Sequence, residues 1–159
     1  KADIYINVQG DEPLVNPRDI LKIRDTKILN MNAVINGFSW ITKKNNPADI
    51  NIPKLITNEK NELIYISRLP IPGFKEVKSE PLKYKKQVCI YAFTKQELKK
   101  FKDFGRKSKL EKLEDIEILR FLELKKTVLM KETTPNSLAV DAPSDILKVE
   151  NAIKKNKKH

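Results

Sequence analysis

Few residues in this chain are able to do chemistry, and two aspartates lead them. Asp11 stands in Gln9-Gly10-Asp11-Glu12-Pro13, directly after an apolar run; Asp141 stands in Leu138-Ala139-Val140-Asp141-Ala142-Pro143, after another. A carboxylate at the carboxyl end of a buried strand sits where α/β sheets present their ligands. Its oxygens suit a hard cation such as Mg2+, which is bound through one or two carboxylates plus substrate phosphates. Each aspartate also has a plainer reading. Asp11 fits an Asp-Glu turn ahead of a proline, and Asp141 fits a helix cap with Pro143 in the first turn. Arg68 lies between a strand and two prolines, in Ser67-Arg68-Leu69-Pro70-Ile71-Pro72. That stiff mounting suits bidentate recognition of a carboxylate, with a surface ion pair as the alternative. Glu117 and Arg120 are three apart, the spacing of an intrahelical salt bridge.

Other chemistries lack their residues. The sole histidine is His159 and the sole cysteine is Cys89, so the sequence holds no Cys-His nucleophile and no intramolecular disulfide. The glycines are Gly10, Gly37, Gly73 and Gly105, which form neither a dinucleotide fingerprint nor a P-loop. What remains is metal-and-carboxylate chemistry on an anionic substrate.

The elements that must position these residues follow from periodicity. Alternation of Ile4, Ile6 and Val8 predicts a strand over residues 3–8. Asn16-Pro17 predicts a helix start, with the helix ending near Leu29. A second strand is expected over 33–41. Runs at 54–57 and 63–67, flanking a polar stretch, predict a hairpin, and 87–93 reads as a further strand. Helices are expected over 94–104 and, unbroken, over 110–124, followed by a strand at 127–130 and a helix from 141 to about 154. Alternating strands and helices argue for an α/β three-layer sandwich around a mostly parallel sheet, with a small antiparallel arm. Residues 1–159 read as a single domain. The chain opens directly on a strand, and this predicts a missing front section.

Composition bounds the partners. At 159 residues and 40% hydrophobic content the chain can bury one core, and no apolar run approaches the ~20 residues that span a bilayer. No signal peptide is evident and the cysteine is single, which points to the cytoplasm. The formal charge of +11 invites a nucleic-acid reading. Lysine carries nearly all of it, with only Arg18, Arg24, Arg68, Arg106 and Arg120 as arginines. Abundant lysine, asparagine and isoleucine look like a compositional bias, so nucleic acid is not the expected partner.

Five motifs in order cover nearly the whole chain: residues 2–14 around Gln9-Gly10-Asp11-Glu12-Pro13, 65–72 around Ser67-Arg68, 87–93 around Ile90-Tyr91, 113–120 around Glu117 and Arg120, and 139–145 around Val140-Asp141. As a set they resemble 3-deoxy-manno-octulosonate cytidylyltransferases, the CMP-Kdo synthetases. The resemblance implies a nucleotidyltransferase fold and transfer of CMP from CTP to an acidic sugar, Kdo or a related one, with release of pyrophosphate. It implies Mg2+ held by Asp11 and Asp141, and a sugar site lined by Gln9, Arg68, Tyr91 and Glu117, with Arg68 facing the sugar carboxylate. Gln87, Ile118 and Ala139 stand where the family has histidine, glutamine and glycine. Gln87 still hydrogen-bonds a hydroxyl and Ile118 does not, so altered sugar contacts are expected. The resemblance further implies a homodimer, with residues 63–93 as dimerisation and sugar-site arm, in a lipopolysaccharide or capsule pathway. The family's triphosphate-cradling loops, which precede the first motif, have no counterpart in this sequence. The chain alone is therefore expected to be inactive, needing a separate N-terminal chain or segment. A non-catalytic scaffolding relative is the alternative.

Overall fold

The structure is a computed structural model that describes residues 2–42, 45–76, 83–135, 140 and 143–156, the side chains of 144, 145, 148, 155 and 156 excepted. Its elements run β1 (Ile4–Val8), α1 (Pro17–Leu29), β2 (Val34–Trp40), β3 (Lys54–Thr57), β4 (Leu63–Ser67), β5 (Lys85–Thr94), α2 (Lys95–Asp103), α3 (Lys109–Glu114), α4 (Leu119–Glu123), β6 (Val128–Glu132) and α5 (Pro143–Asn156).

Six strands form one sheet in the order β4-β3-β5-β2-β6, and β1 also pairs with β5. Because β5 is ten residues long, β1 and β3 lie end to end along one of its edges while β2 occupies the other. β1, β2, β3 and β6 point the same way, with β5 and β4 opposed. The α/β class with an antiparallel hairpin is thus as expected, but the sheet is mixed. Only β2 and β6 form a parallel pair among the described residues. The reason is topological: β5 returns from the hairpin and inserts between β1 and β2, separating two strands that would otherwise be parallel neighbours.

Alternation along the strands builds one core on each face. Ile4, Ile6, Val8, Ile35, Val88, Ile90 and Ala92 meet Ile20 and Ile23 of α1. On the other face Val34, Phe38, Tyr91, Phe93 and Met130 meet Ile116, Leu119 and Phe121 of the α3–α4 region and Leu98 and Phe101 of α2. The hairpin contributes Leu55, Leu63 and Ile66 to this second core. Its turn reaches β6, where Met130 N donates to Asn61 O at 2.8 Å.

The helix starts are chemically specified. The Asn16 side chain accepts from Arg18 N, with proline in the first turn. Thr94 with Glu97, and Ser108 with Glu111, form reciprocal capping boxes that satisfy two orphan amides each.

The expected helix over 110–124 is broken. Asp115 adopts a left-handed conformation (φ 52°, ψ 49°), and α3 and α4 are separate short helices. Glu117 therefore falls in the break and does not pair with Arg120. Arg120 instead forks onto Glu111, at 2.7 and 2.5 Å, and lies over the Phe101 ring at 3.7 Å. The break exposes carbonyls that a continuous helix would have consumed, and Arg68 takes two of them.

Candidate active site

The site is built around an irregularity in β5. Opposite Asn36 and Gly37 the β2–β5 register jumps, from Asn36↔Tyr91 to Gly37↔Val88, so Cys89 and Ile90 bulge out of the ladder. Four backbone groups around the bulge are taken up by Asn36 and by the turn after β1. Asn36 Nδ2 donates to Val88 O and to Ile90 O, both at 3.0 Å. Cys89 N donates to Glu12 Oε1 at 2.8 Å, and Gln9 N donates to Cys89 O at 3.1 Å. Bulges re-aim side chains beside functional sites, and this one joins the strand carrying Gln87 and Tyr91 to the turn carrying Asp11.

Gln87, Cys89 and Tyr91 stand at every second position, so all three address the same face. Gln87 Nε2 donates to Asn36 Oδ1 at 2.9 Å and reaches the Tyr91 hydroxyl at 3.3 Å. Gln9 shares that face, being out of step with Ile4, Ile6 and Val8, which point into the opposite core. Gln87 and Tyr91 are thus joined, and Gln9 N donates to the carbonyl of Cys89 between them at 3.1 Å. Burial pushes the Tyr91 phenol well above the usual tyrosine range, with Cys89 and then the charges of Glu117 and Glu12 adding to it. Glu117, exposed in the α3–α4 break, is in this way electrostatically connected to the group. Burial, then Glu12, raises the Cys89 thiol to about 12. Lys86, on the other face of β5, is held below the ordinary lysine range by burial, and Glu12 is the main charge opposing that shift.

Asp11 closes the turn after β1. The residue is half-buried, and its Oδ1 is fully buried with no hydrogen-bond partner among the described residues. A carboxylate oxygen left without a donor is costly, and it is the kind of ligand a hard cation takes. Among the described residues no three acidic, histidine or cysteine side chains converge. A single carboxylate oxygen of this kind suits a cation that takes one or two protein carboxylates and completes its shell with substrate phosphates. Asp141 lies outside the described residues. Its predecessor, Val140, donates its amide to Asp11 O at 2.8 Å.

Arg68 is engaged by backbone carbonyls. Its Nε donates to Glu114 O at 2.6 Å, Nη1 to Ile50 O at 2.9 Å and Nη2 to Asp115 O at 3.1 Å. Its amide donates to Glu114 Oε2 at 2.9 Å. In this structure the guanidinium faces backbone carbonyls, latching the end of β4 onto the α3–α4 break. The buried Lys54 ammonium bonds Asp49 O at 2.8 Å and also Arg68 O.

Sequence reasoning passed over Glu12 and Asn36, the two side chains that secure the bulge. A signal for the second was present: Asn36-Gly37 interrupts an otherwise apolar run, and a polar side chain in a buried strand must be hydrogen-bonded.

No helix among the described residues is long and apolar enough to cross a membrane. Comparison with known proteins agrees with this architecture. A cytidylyltransferase family model matches residues 1–132. The 3-deoxy-manno-octulosonate cytidylyltransferase of Christiangramia forsetii is 36% identical over 154 residues, covering 92% of this chain and 60% of that protein. The enzyme of the same name from Escherichia coli is 31% identical over 153 residues, covering 94% and 59%. The solved structure of CMP:2-keto-3-deoxy-manno-octonic acid synthetase complexed with CTP superposes with a TM-score of 0.87 at 28% identity, over 98% of this chain and 64% of that one. The chain spans about 60% of the length of the curated relatives it matches. With the family model covering most of its length, and the turn, bulge and polar face ordered as described, this chain belongs to the cytidylyltransferase family.

Proposed function

We propose that this chain is the sugar-and-metal portion of a cytoplasmic enzyme that transfers CMP from CTP to an acidic sugar, Kdo or a close relative, and releases pyrophosphate. The observation that carries the reading is the buried Asp11 Oδ1, without a hydrogen-bond partner among the described residues, beside the strand that carries the bonded Gln87 and Tyr91. The sugar's anomeric hydroxyl attacks the α-phosphorus of CTP, and the bond to the pyrophosphate leaving group breaks in line. Asp11 and Asp141 would hold Mg2+, which when bound neutralises charge on the phosphates. Gln9, Gln87 and Tyr91 orient sugar hydroxyls, with Glu117 at the rim. Gln87 spends Nε2 on Asn36 and Tyr91, so its carbonyl oxygen is the atom it offers to a hydroxyl donor. Arg68 is fixed by three carbonyls, which use three of its five N–H groups and leave two for the sugar carboxylate.

The relatives' additional length supports a requirement for a further, CTP-cradling segment, and the chain alone would then be inactive. A homodimer through the arm of residues 63–93 accords with the exposure of Ile64, Leu69 and Phe74; residues 77–82 of that arm lie outside the described residues. The test is pyrophosphate release from CTP, Mg2+ and Kdo, by the chain alone and supplemented with an N-terminal segment from a relative. Release only on supplementation supports the reading. No release with any of several acidic sugars would leave a non-catalytic relative.

A further inference from the structure

The turn that carries Asp11 is open at Gly10, where an added methyl group would meet nothing within 4 Å. Within it, Glu12 N donates to Gln9 O at 3.4 Å and Val15 N to Glu12 O at 3.1 Å. The bonds that fasten it to the rest of the protein include Gln9 N to Cys89 O at 3.1 Å, Val140 N to Asp11 O at 2.8 Å and Cys89 N to Glu12 Oε1 at 2.8 Å. The last of these uses a side chain of the turn, and that side chain is buried: Glu12 is 6% exposed.

An acidic side chain in a turn is ordinarily solvated, and burying one costs free energy unless it is bonded. Glu12 is buried for a definite partner. The Cys89 amide faces the edge that β1 leaves after Val8, beside the bulge, and a carboxylate makes a stronger acceptor for it than a neutral group would. Lys86, on the opposite face of β5, supplies the countercharge. The bulge and the turn are therefore one construction, with Glu12 on its β1 side and Asn36 on its β2 side.

We propose that Glu12 is a positioning residue: its carboxylate fastens the Asp11 turn to the β5 bulge and thereby sets the Asp11 oxygen relative to the Gln87–Tyr91 face. Glu12 itself touches neither substrate nor metal. The proposal rests on the reading of Asp11 as a metal ligand, and its test separates the two.

The test uses the 15N-labelled chain, titrated with Mn2+ and followed by paramagnetic broadening of the Val8 and Gly10 amide signals, in wild type, Asp11→Asn, Glu12→Ala and Glu12→Gln. Asp11→Asn should abolish the broadening. Glu12→Ala should raise the Mn2+ midpoint about tenfold or more, the usual cost of losing a group that orients a ligand. Glu12→Gln, which keeps an acceptor for Cys89 N, should return close to wild type. A Glu12→Ala midpoint equal to wild type would overturn the proposal. Should Asp11→Asn bind as wild type does, the metal reading fails; in that case, or if wild type binds no Mn2+ without substrate phosphates, amide exchange decides the proposal. Exchange at Gly10 and Cys89 about tenfold faster in Glu12→Ala, with the core amide of Ile35 unchanged, sustains Glu12 as the fastener of the turn. Unchanged exchange at Gly10 and Cys89 overturns it.

Discussion

Val140 donates its backbone amide to the carbonyl of Asp11 at 2.8 Å, joining two segments that lie 129 positions apart in sequence. That single bond brings the residue before Asp141 to the turn after β1. It accords with the proposal that Asp11 and Asp141 share a metal ion. In the supplemented pyrophosphate assay, Asp11→Asn and Asp141→Asn should each lower kcat by about 100-fold or more, since even outer-shell groups cost about 10–100-fold. The double variant should be little worse than either single one, because residues acting as a unit are not additive. Full activity of either single variant would remove that aspartate from the chemistry.

Cys89 offers a measurement independent of activity. Its thiol, pushed up to about 12 chiefly by burial, carries almost no thiolate near neutrality. Alkylation at pH 8 should be about 100-fold or more slower in the folded chain than in the urea-unfolded chain. The folded rate should rise about tenfold per pH unit toward the raised value. A folded rate matching the unfolded one would contradict the burial described for β5.

Arg68→Lys should detach the end of β4 from the α3–α4 break. A single ammonium cannot span the carbonyls of Ile50, Glu114 and Asp115, which the guanidinium fork bonds together. The expected loss is about 2 kcal/mol or more, read by urea unfolding. In the supplemented assay the KM for sugar should rise more than the KM for CTP, because the latch also fixes the remaining N–H groups.

The Glu111–Arg120 fork carries an acid dependence. Burial alone would raise the Glu111 carboxyl, yet the hydrogen bonds from Arg120 and Ser108 outweigh it and hold the carboxyl below the ordinary value of 4.5. A depressed folded value means that the unfolded state binds more protons. The stability contributed is present above about pH 4.5 and is lost as pH falls through the folded value. Glu111→Gln should therefore be less stable at pH 7 and show a shallower loss of stability between about pH 5 and 3. Parallel acid-unfolding profiles for the two proteins would refute the assignment.

Lys27 and Glu97 form the most enclosed ion pair among the described residues, at 2.7 Å, with side chains 0% and 2% exposed. Lys27 also bonds the carbonyls of Met31 and Ala33, tying the end of α1 to the cap of α2. Lys27→Met leaves Glu97 buried and unpaired and should cost about 3–5 kcal/mol. That corresponds to a Tm lower by very roughly 10 °C in a chain of this size. Adding Glu97→Gln to it should recover part of the loss.

By itself the sequence determined the elements and most of the family's motif residues. Alternation at Ile4, Ile6 and Val8 and the Asn16-Pro17 start are local signals. The runs at 54–57 and 63–67 are local as well, and each produced the element it predicts. Propensity and periodicity act within a few residues, so a single chain displays them. Tertiary structure decided whatever depends on partners distant in sequence. The helix expected over 110–124 breaks at Asp115, and Arg68, some 46 positions away, bonds the carbonyls freed there. Glu117 and Arg120, well spaced for a salt bridge, part company because Glu111 provides a better fork. The β5 bulge exists only where β1, β2 and β5 meet, held by Glu12 from one side and Asn36 from the other. No local pattern encodes that meeting, because its hydrogen bonds pair residues more than fifty positions apart and form only once the sheet is assembled.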